Sequence, residues 1–190
     1  MKVAQQIVGV NQRLGNSAVP NMQGTTRLIY DSVELTATTN QTINLFQGVS
    51  TRTFPNTNLN NNRFEVGESL AIQGVSFFMR PAAITTLGQF LTPFVGNASN
   101  FVNTINLNFY IGNQRVIKDL DLNYSRSLIG ESKRTTTINN VLHFETPIVI
   151  PPQIEFYATI RITSSTNTRA DRFYLSLFGQ GTLLNTKSTF

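Results

Sequence analysis

From Arg27 onward apolar residues recur at every second position. Ile29, Val33, Leu35 and Ala37 share one parity, and after the polar tract 38–41 the pattern resumes at Ile43 and Leu45. A period of two marks a strand with one buried face, here either two strands or one interrupted strand. Residues 69–79 are apolar at both parities, with Leu70, Ile72 and Phe78 set against Ala71, Val75 and Phe77. That pattern suits a strand covered on both sides, which Arg80-Pro81 ends. Ile105, Leu107, Phe109 and Ile111 alternate with Asn106, Asn108 and Tyr110, and Gly112-Asn113 then turns the chain into 115–124. Glycine accepts positive φ without steric cost and so suits this tight hairpin turn. A further strand is expected over 138–145. The longest regular alternation sets Ile154, Phe156, Ala158, Ile160 and Ile162 against Glu155, Tyr157, Thr159, Arg161 and Thr163. Such a strand has one face in a core and the other toward water or a partner. Phe173, Leu175 and Leu177 open a last strand that ends near Leu184.

Between these runs lie the breaks. Residues 1–25 hold scattered Gly, Asn and Gln without sustained periodicity and are expected to form an extended, irregular N-terminal arm. Residues 47–67 contain Gly48, Pro55, Gly67 and Asn60-Asn61-Asn62, and form a loop of a length often reserved for contacts. A short helix is expected only within 82–100, where Pro93 would interrupt it. Residues 125–136 and 164–171 are polar connections. With no repeat, linker or shift of composition, 26–190 is expected to be a single domain. About eight strands with turns between them make an all-β, antiparallel two-sheet sandwich. Leu107, Phe109, Phe156, Ile160, Phe173 and Leu175 should point into its core.

Composition sharpens the picture of the surface. The chain has 190 residues, of which only 13% are charged, so the exterior must be mainly Asn, Thr, Ser and Gln. Its net charge of +5 comes from 15 dispersed basic residues, and Lys133-Arg134 is the one adjacent basic pair. Weak attraction to a polyanion such as a packaged genome is one consequence, and a solvated basic surface is the plainer one. Lys2 and Arg13 on the arm are the candidates for facing nucleic acid, ahead of Lys118, Arg126, Lys133 and Arg134. No window approaches the roughly 18 consecutive apolar residues of a membrane helix, and 1–10 does not resemble a signal peptide.

Candidate chemistry is sparse. Cysteine is absent and histidine occurs once, so thiolate and multi-histidine metal sites have no ligands and no cofactor is expected. His143, alternating with Leu142 and Phe144, is expected on a sheet surface. Asp119 with Asp121 and Glu65 with Glu68 are the carboxylate pairs that could suggest calcium or glycosidase chemistry. The first pair lies on one strand beside a turn, whereas a cleft usually draws its acid and base from separate elements, so solvated strand-end charges are expected. No Gly-x-Ser-x-Gly elbow or phosphate-binding loop is present, and neither an enzyme nor a small-molecule substrate is expected.

The segment Val141-Leu142-His143-Phe144-Glu145-Thr146-Pro147-Ile148-Val149-Ile150-Pro151-Pro152-Gln153-Ile154-Glu155-Phe156 resembles the late strands of phage and viral jelly-roll capsid proteins. In both, an apolar strand leads through a proline corner into a long alternating strand. Proline interrupts ladder hydrogen bonding and favours extended backbone, so the chain can turn there from one sheet to the other. The run Phe173-Tyr174-Leu175-Ser176-Leu177-Phe178-Gly179-Gln180-Gly181-Thr182 resembles the closing strand of such proteins, with glycine where the strand bends or a neighbour comes close. The resemblance implies a jelly roll and a virion structural protein, with copies of itself and other virion proteins as partners, and self-assembly is expected to run through the arm 1–25 and the loops, 47–67 above all. The alternative is a receptor- or carbohydrate-binding sandwich such as a virion spike or lectin-like module. Exposed loop aromatics would favour it, and the absence of Trp weakens it.

Overall fold

A computed structural model describes residues 3–13, 22–34, 40–52, 54–81, 104–122, 141–163 and 171–184. Within them, helix α1 (Val3–Arg13) precedes eight strands: β1 (Met22–Glu34), β2 (Asn40–Leu45), β3 (Ser69–Pro81), β4 (Thr104–Ile111), β5 (Gln114–Asp121), β6 (Val141–Ile150), β7 (Phe156–Thr163) and β8 (Asp171–Leu184). They form two four-stranded sheets in the orders β1-β8-β3-β6 and β2-β7-β4-β5. Every ladder is antiparallel.

The pairing is nested. β1 pairs with β8, β2 with β7, β3 with β6 and β4 with β5. The chain is therefore one long antiparallel ribbon with the β4–β5 hairpin at its tip, and successive rungs fall alternately in the two sheets. This wiring is the jelly roll that the resemblance implied. Ladders β3–β8 and β4–β7 then stitch neighbouring rungs into sheets.

The core lies between the sheets. Leu107, Phe109, Phe156, Ile160, Phe173 and Leu175 are all fully buried, as expected, with Ile29, Leu45, Phe46, Phe64, Leu70, Ile72 and Ile105 around them. Rings of Phe46, Phe64 and Phe109 gather around Phe156, with centroids 5.1–6.2 Å away. Each such side chain contributes about 1.5–3 kcal/mol by leaving water.

β3 departs from a regular ladder. Its ladder to β8 slips between Ile72 and Gly74, so the buried parity changes from Leu70 and Ile72 to Val75 and Phe77. A bulge thus lets both parities of the strand feed the inter-sheet core in turn, while Ala71 is fully buried outside that core and α1 packs against β3, so the strand is covered on both sides as expected. Gly179 sits opposite this bulge, where a β-carbon would collide with the Ala71 carbonyl.

The proline corner joins the sheets as expected: β6 ends in one and β7 begins in the other, with Pro151 and Pro152 buried between them. β6 extends to Ile150, beyond the expected end at 145. Its register jumps from His143 opposite Gly74 to Ile148 opposite Ile72, which leaves Phe144, Glu145, Thr146 and Pro147 outside the ladder.

The N-terminal segment differs from the irregular arm expected over 1–25. Residues 3–13 are helical and 22–25 already belong to β1, paired with 181–184 of β8. The helix packs against β3 and β6. Its Ile7 is 3% exposed and lies outside the inter-sheet core cluster. Val3, Ile7 and Val10 recur at helical spacing, a stripe too short to stand out against the glutamines and Gly9 around it. The helix expected within 82–100 and the polar connection 125–136 lie outside the described residues.

Candidate interaction faces

The outer face of the β2-β7-β4-β5 sheet is built by the polar parity of four strands. β2 contributes Asn40, Thr42 and Asn44, β7 contributes Tyr157, Thr159, Arg161 and Thr163, and β4 contributes Asn106, Asn108 and Tyr110. Tyr110 and Tyr157 are cross-strand partners whose rings stack with centroids 4.5 Å apart and planes 6° from parallel. Thr159 donates to Asn44 Oδ1 at 3.4 Å.

β5 completes this face through two irregularities. Leu107 opposes Leu120 and Phe109 opposes Ile117, so Lys118 and Asp119 together face Asn108. Asp119 takes a left-handed φ of 46° there. The Asn108 side chain fills the resulting gap. Its Oδ1 accepts from the Asp119 N–H at 2.9 Å and from Arg115 at 3.3 Å, while its Nδ2 donates to Asp119 Oδ1 at 3.2 Å. Arg115 and Asp119 also form an exposed ion pair at 3.8 Å, a geometry that contributes little in water. The face offers fixed hydrogen-bonding groups, and beside the Arg115–Asp119 pair it carries the exposed cations Arg161 and Lys118.

The long loop after β2 is knitted to its own sandwich. Asp31, an inward-facing carboxylate on β1, is 0% exposed. Its Oδ2 accepts from the Phe46 N–H at 2.6 Å and from Arg52 at 2.8 Å. Among the described residues its Oδ1 has no hydrogen-bond partner. Burial pushes the Asp31 pKa above the ordinary carboxylate value, outweighing the opposing pull of the Phe46 N–H and Arg52. Arg52 also donates to the carbonyls of Gln47 and Ser32. Beyond it, Asn58 and Thr57 cap the outer edge of β1. Asn58 Oδ1 accepts from the Tyr30 N–H, Asn58 Nδ2 donates to the Leu28 carbonyl, and the Thr57 hydroxyl donates to the Tyr30 carbonyl. Further on, the Asn62 carbonyl accepts from the Phe156 N–H and the Phe64 carbonyl from the Gln153 N–H. The loop therefore spans from one sheet to the other, with Phe46, Leu59 and Phe64 inserted in the core. Phe54 stands away from it at 77% exposure.

The residues singled out from sequence fall as follows. Arg13 ends α1 and is exposed, while Lys2, Arg126, Lys133 and Arg134 lie outside the described residues. Lys118 is exposed on the bulged β5. His143 is exposed on β6, edge-on to the Phe178 ring at 5.6 Å. Asp119 is engaged by Asn108 and Arg115. Glu65 and Glu68 flank a turn, and Glu68 accepts both Arg27 bonds at 3.1 Å while that guanidinium lies 4.3 Å above the Phe64 ring. Among the described residues no group of three or more His, Asp or Glu is placed to hold a metal ion. No helix among them is long and apolar enough to cross a membrane.

Sequence reasoning passed over Asp31, Arg52, Asn108 and the Tyr110–Tyr157 pair. Asp31 did carry a signal, because it shares the parity of Ile29 and Val33 and so places a carboxylate on the buried face. Asn108 carried none, being one polar residue among others on a polar parity. No protein-family model and no curated protein sequence matches the chain.

Proposed function

We propose that this chain is a structural protein of a virion, in phage or a related virus, that works by packing against copies of itself and against other virion proteins. A jelly roll by itself serves lectins and enzymes as well as shells, so the fold alone does not decide. The observation that carries the proposal is the broad outer face of β2-β7-β4-β5, with exposed Asn40, Thr42, Asn44 and Thr163 and an already neutralised Arg115–Asp119 pair. Such a face can form many hydrogen bonds across a symmetric contact. Packaged nucleic acid would meet Lys2 and Arg13 through weak, salt-sensitive attraction. Light scattering and negative-stain microscopy of the purified protein test the assignment. Rings or closed particles are expected, and a protein that stays monomeric at high concentration overturns it.

The stacked Tyr110–Tyr157 pair favours a second function, carbohydrate binding, because sugars lie against aromatic rings and the Asn108–Arg115–Asp119 cluster shares the same face. Retention of the monomer on a glycan surface, lost in Tyr157→Ala, would replace the assembly assignment with this one.

A further inference from the structure

Phe54 is the most exposed large apolar side chain among the described residues. A lone apolar residue on a surface is ordinary. What sets Phe54 apart is how firmly the backbone around it is held. Two residues before it, Arg52 donates to Asp31 and to the carbonyls of Gln47 and Ser32. Two residues after it, the Asn56 carbonyl accepts from the Ser32 hydroxyl, and Thr57 and Asn58 follow with their bonds to β1. The ring is thus presented to solvent from a pinned stretch of chain along the outer edge of β1. An aromatic side chain on a loop already ordered loses little freedom on being covered, which is the property of an interface anchor.

The chain also carries a recess suited to such an anchor. On α1, Gln5, Val8, Gly9 and Gln12 share the face turned away from the buried Ile7. They line a shallow, largely apolar recess of about 300 Å³, with Gln5, Val8 and Gln12 exposed. Gly9 leaves it open, since among the described residues nothing lies within 4 Å of where its β-carbon would stand. We infer that Phe54 of one copy of this chain seats in the α1 recess of the next, joining copies head to tail. This inference rests on the assembly function proposed above and names a contact for it.

Placement in the fold favours a second copy as the occupant. Within one copy ring and recess stay apart. The loop carrying Phe54 follows the edge strand β1, whereas α1 packs against β3 and β6 on the other side of the same sheet, with β8 in between. Copies set side by side therefore bring the ring of one toward the recess of its neighbour. Because the two surfaces differ, each copy offers one of each, and only a closed ring of copies leaves none unfilled. Charge permits the contact as well. Each copy carries +5, so like copies meet best where neither brings a charge, and Phe54 and the four recess residues bring none. Arg52, close to Phe54 in the chain, is already paired with Asp31.

Paired variants of the full chain test it. Phe54→Glu and Val8→Glu each replace an exposed side chain, so the β spectrum and melting temperature should stay as in the wild type. Each should raise the concentration needed for assembly in light scattering by about tenfold or more. Phe54→Ser, which removes the ring without adding charge, should behave like Phe54→Glu. A mixture gives the decisive readout. The Phe54→Glu protein keeps an intact recess and the Val8→Glu protein an intact ring, so equal amounts should form a discrete dimer in size-exclusion chromatography where each alone is monomeric. If the wild type assembles but the Phe54 variants assemble at the same concentration, or the mixture yields no dimer, ring and recess are not partners and the contact is wrong. If the wild type does not assemble at all, the proposed function falls, and this inference with it.

Discussion

Asp31 shows how much one side chain can organise. Its buried carboxylate holds the Phe46 N–H and Arg52, and so fixes where the loop leaves β2. Because burial raises its pKa, the folded protein binds this proton more tightly than the unfolded chain. The contribution to stability is therefore fully present below the ordinary carboxylate value of 3.8 and is lost as pH rises through the elevated folded value. Asp31→Asn, a neutral isostere, should flatten that part of the pH dependence and be at least as stable as the wild type at neutral pH in urea denaturation. Asp31→Ala should lose about 1–3 kcal/mol, since it leaves the buried Phe46 N–H unmatched. Inside the core, Phe156→Ala should cost about 3–5 kcal/mol in the same assay, while Thr159→Ala on the opposite face stays close to neutral. A large loss at Thr159 with none at Phe156 would mean the strand faces the other way. Gly179→Ala should destabilise too, because the added methyl has no room beside the Ala71 carbonyl.

Among the elements, those with unbroken parity were legible in the sequence. β4, β7 and β8 could be read in advance, including which residues enter the core. β3 is covered on both faces as its pattern suggested, but the slip between Ile72 and Gly74, which inserts a single residue and exchanges the two parities, was not visible. Local pattern cannot reveal such an insertion, which depends on what β8 presents opposite. α1 escaped notice because three apolar positions make a weak stripe, and the burial of Ile7 comes from packing near β3 and β6. Its packing can be tested directly. Deleting residues 3–13 should lower stability by about 1.5–3 kcal/mol, the worth of one buried isoleucine, while leaving the β-rich circular dichroism spectrum intact. An unchanged melting temperature would show that the helix adds nothing to the sandwich.

For the molecule as a whole, the two-sheet class was readable in the strand pattern, whereas the nested order of strands followed only from the resemblance to jelly-roll proteins. β1 and β8 bring together Met22 and Leu184, partners from opposite ends of the chain, and no local pattern announces such a pairing. The candidate interaction faces were legible only as a parity of polar residues. What distinguishes them, the Asn108 plug, the tyrosine stack and the capped edge of β1, depends on contacts between distant segments. The nested pairing also governs how the chain can come to be folded. Only the β4–β5 hairpin closes a short loop, and each rung outward from it joins residues farther apart along the chain, a topology that slows folding. During synthesis β1 emerges first and must wait for β8, made last, before its inner edge is paired. A nascent chain that stops short of β8 therefore exposes both β1 and β3 along that edge, and its natural failure is to find those strands on another unfinished copy.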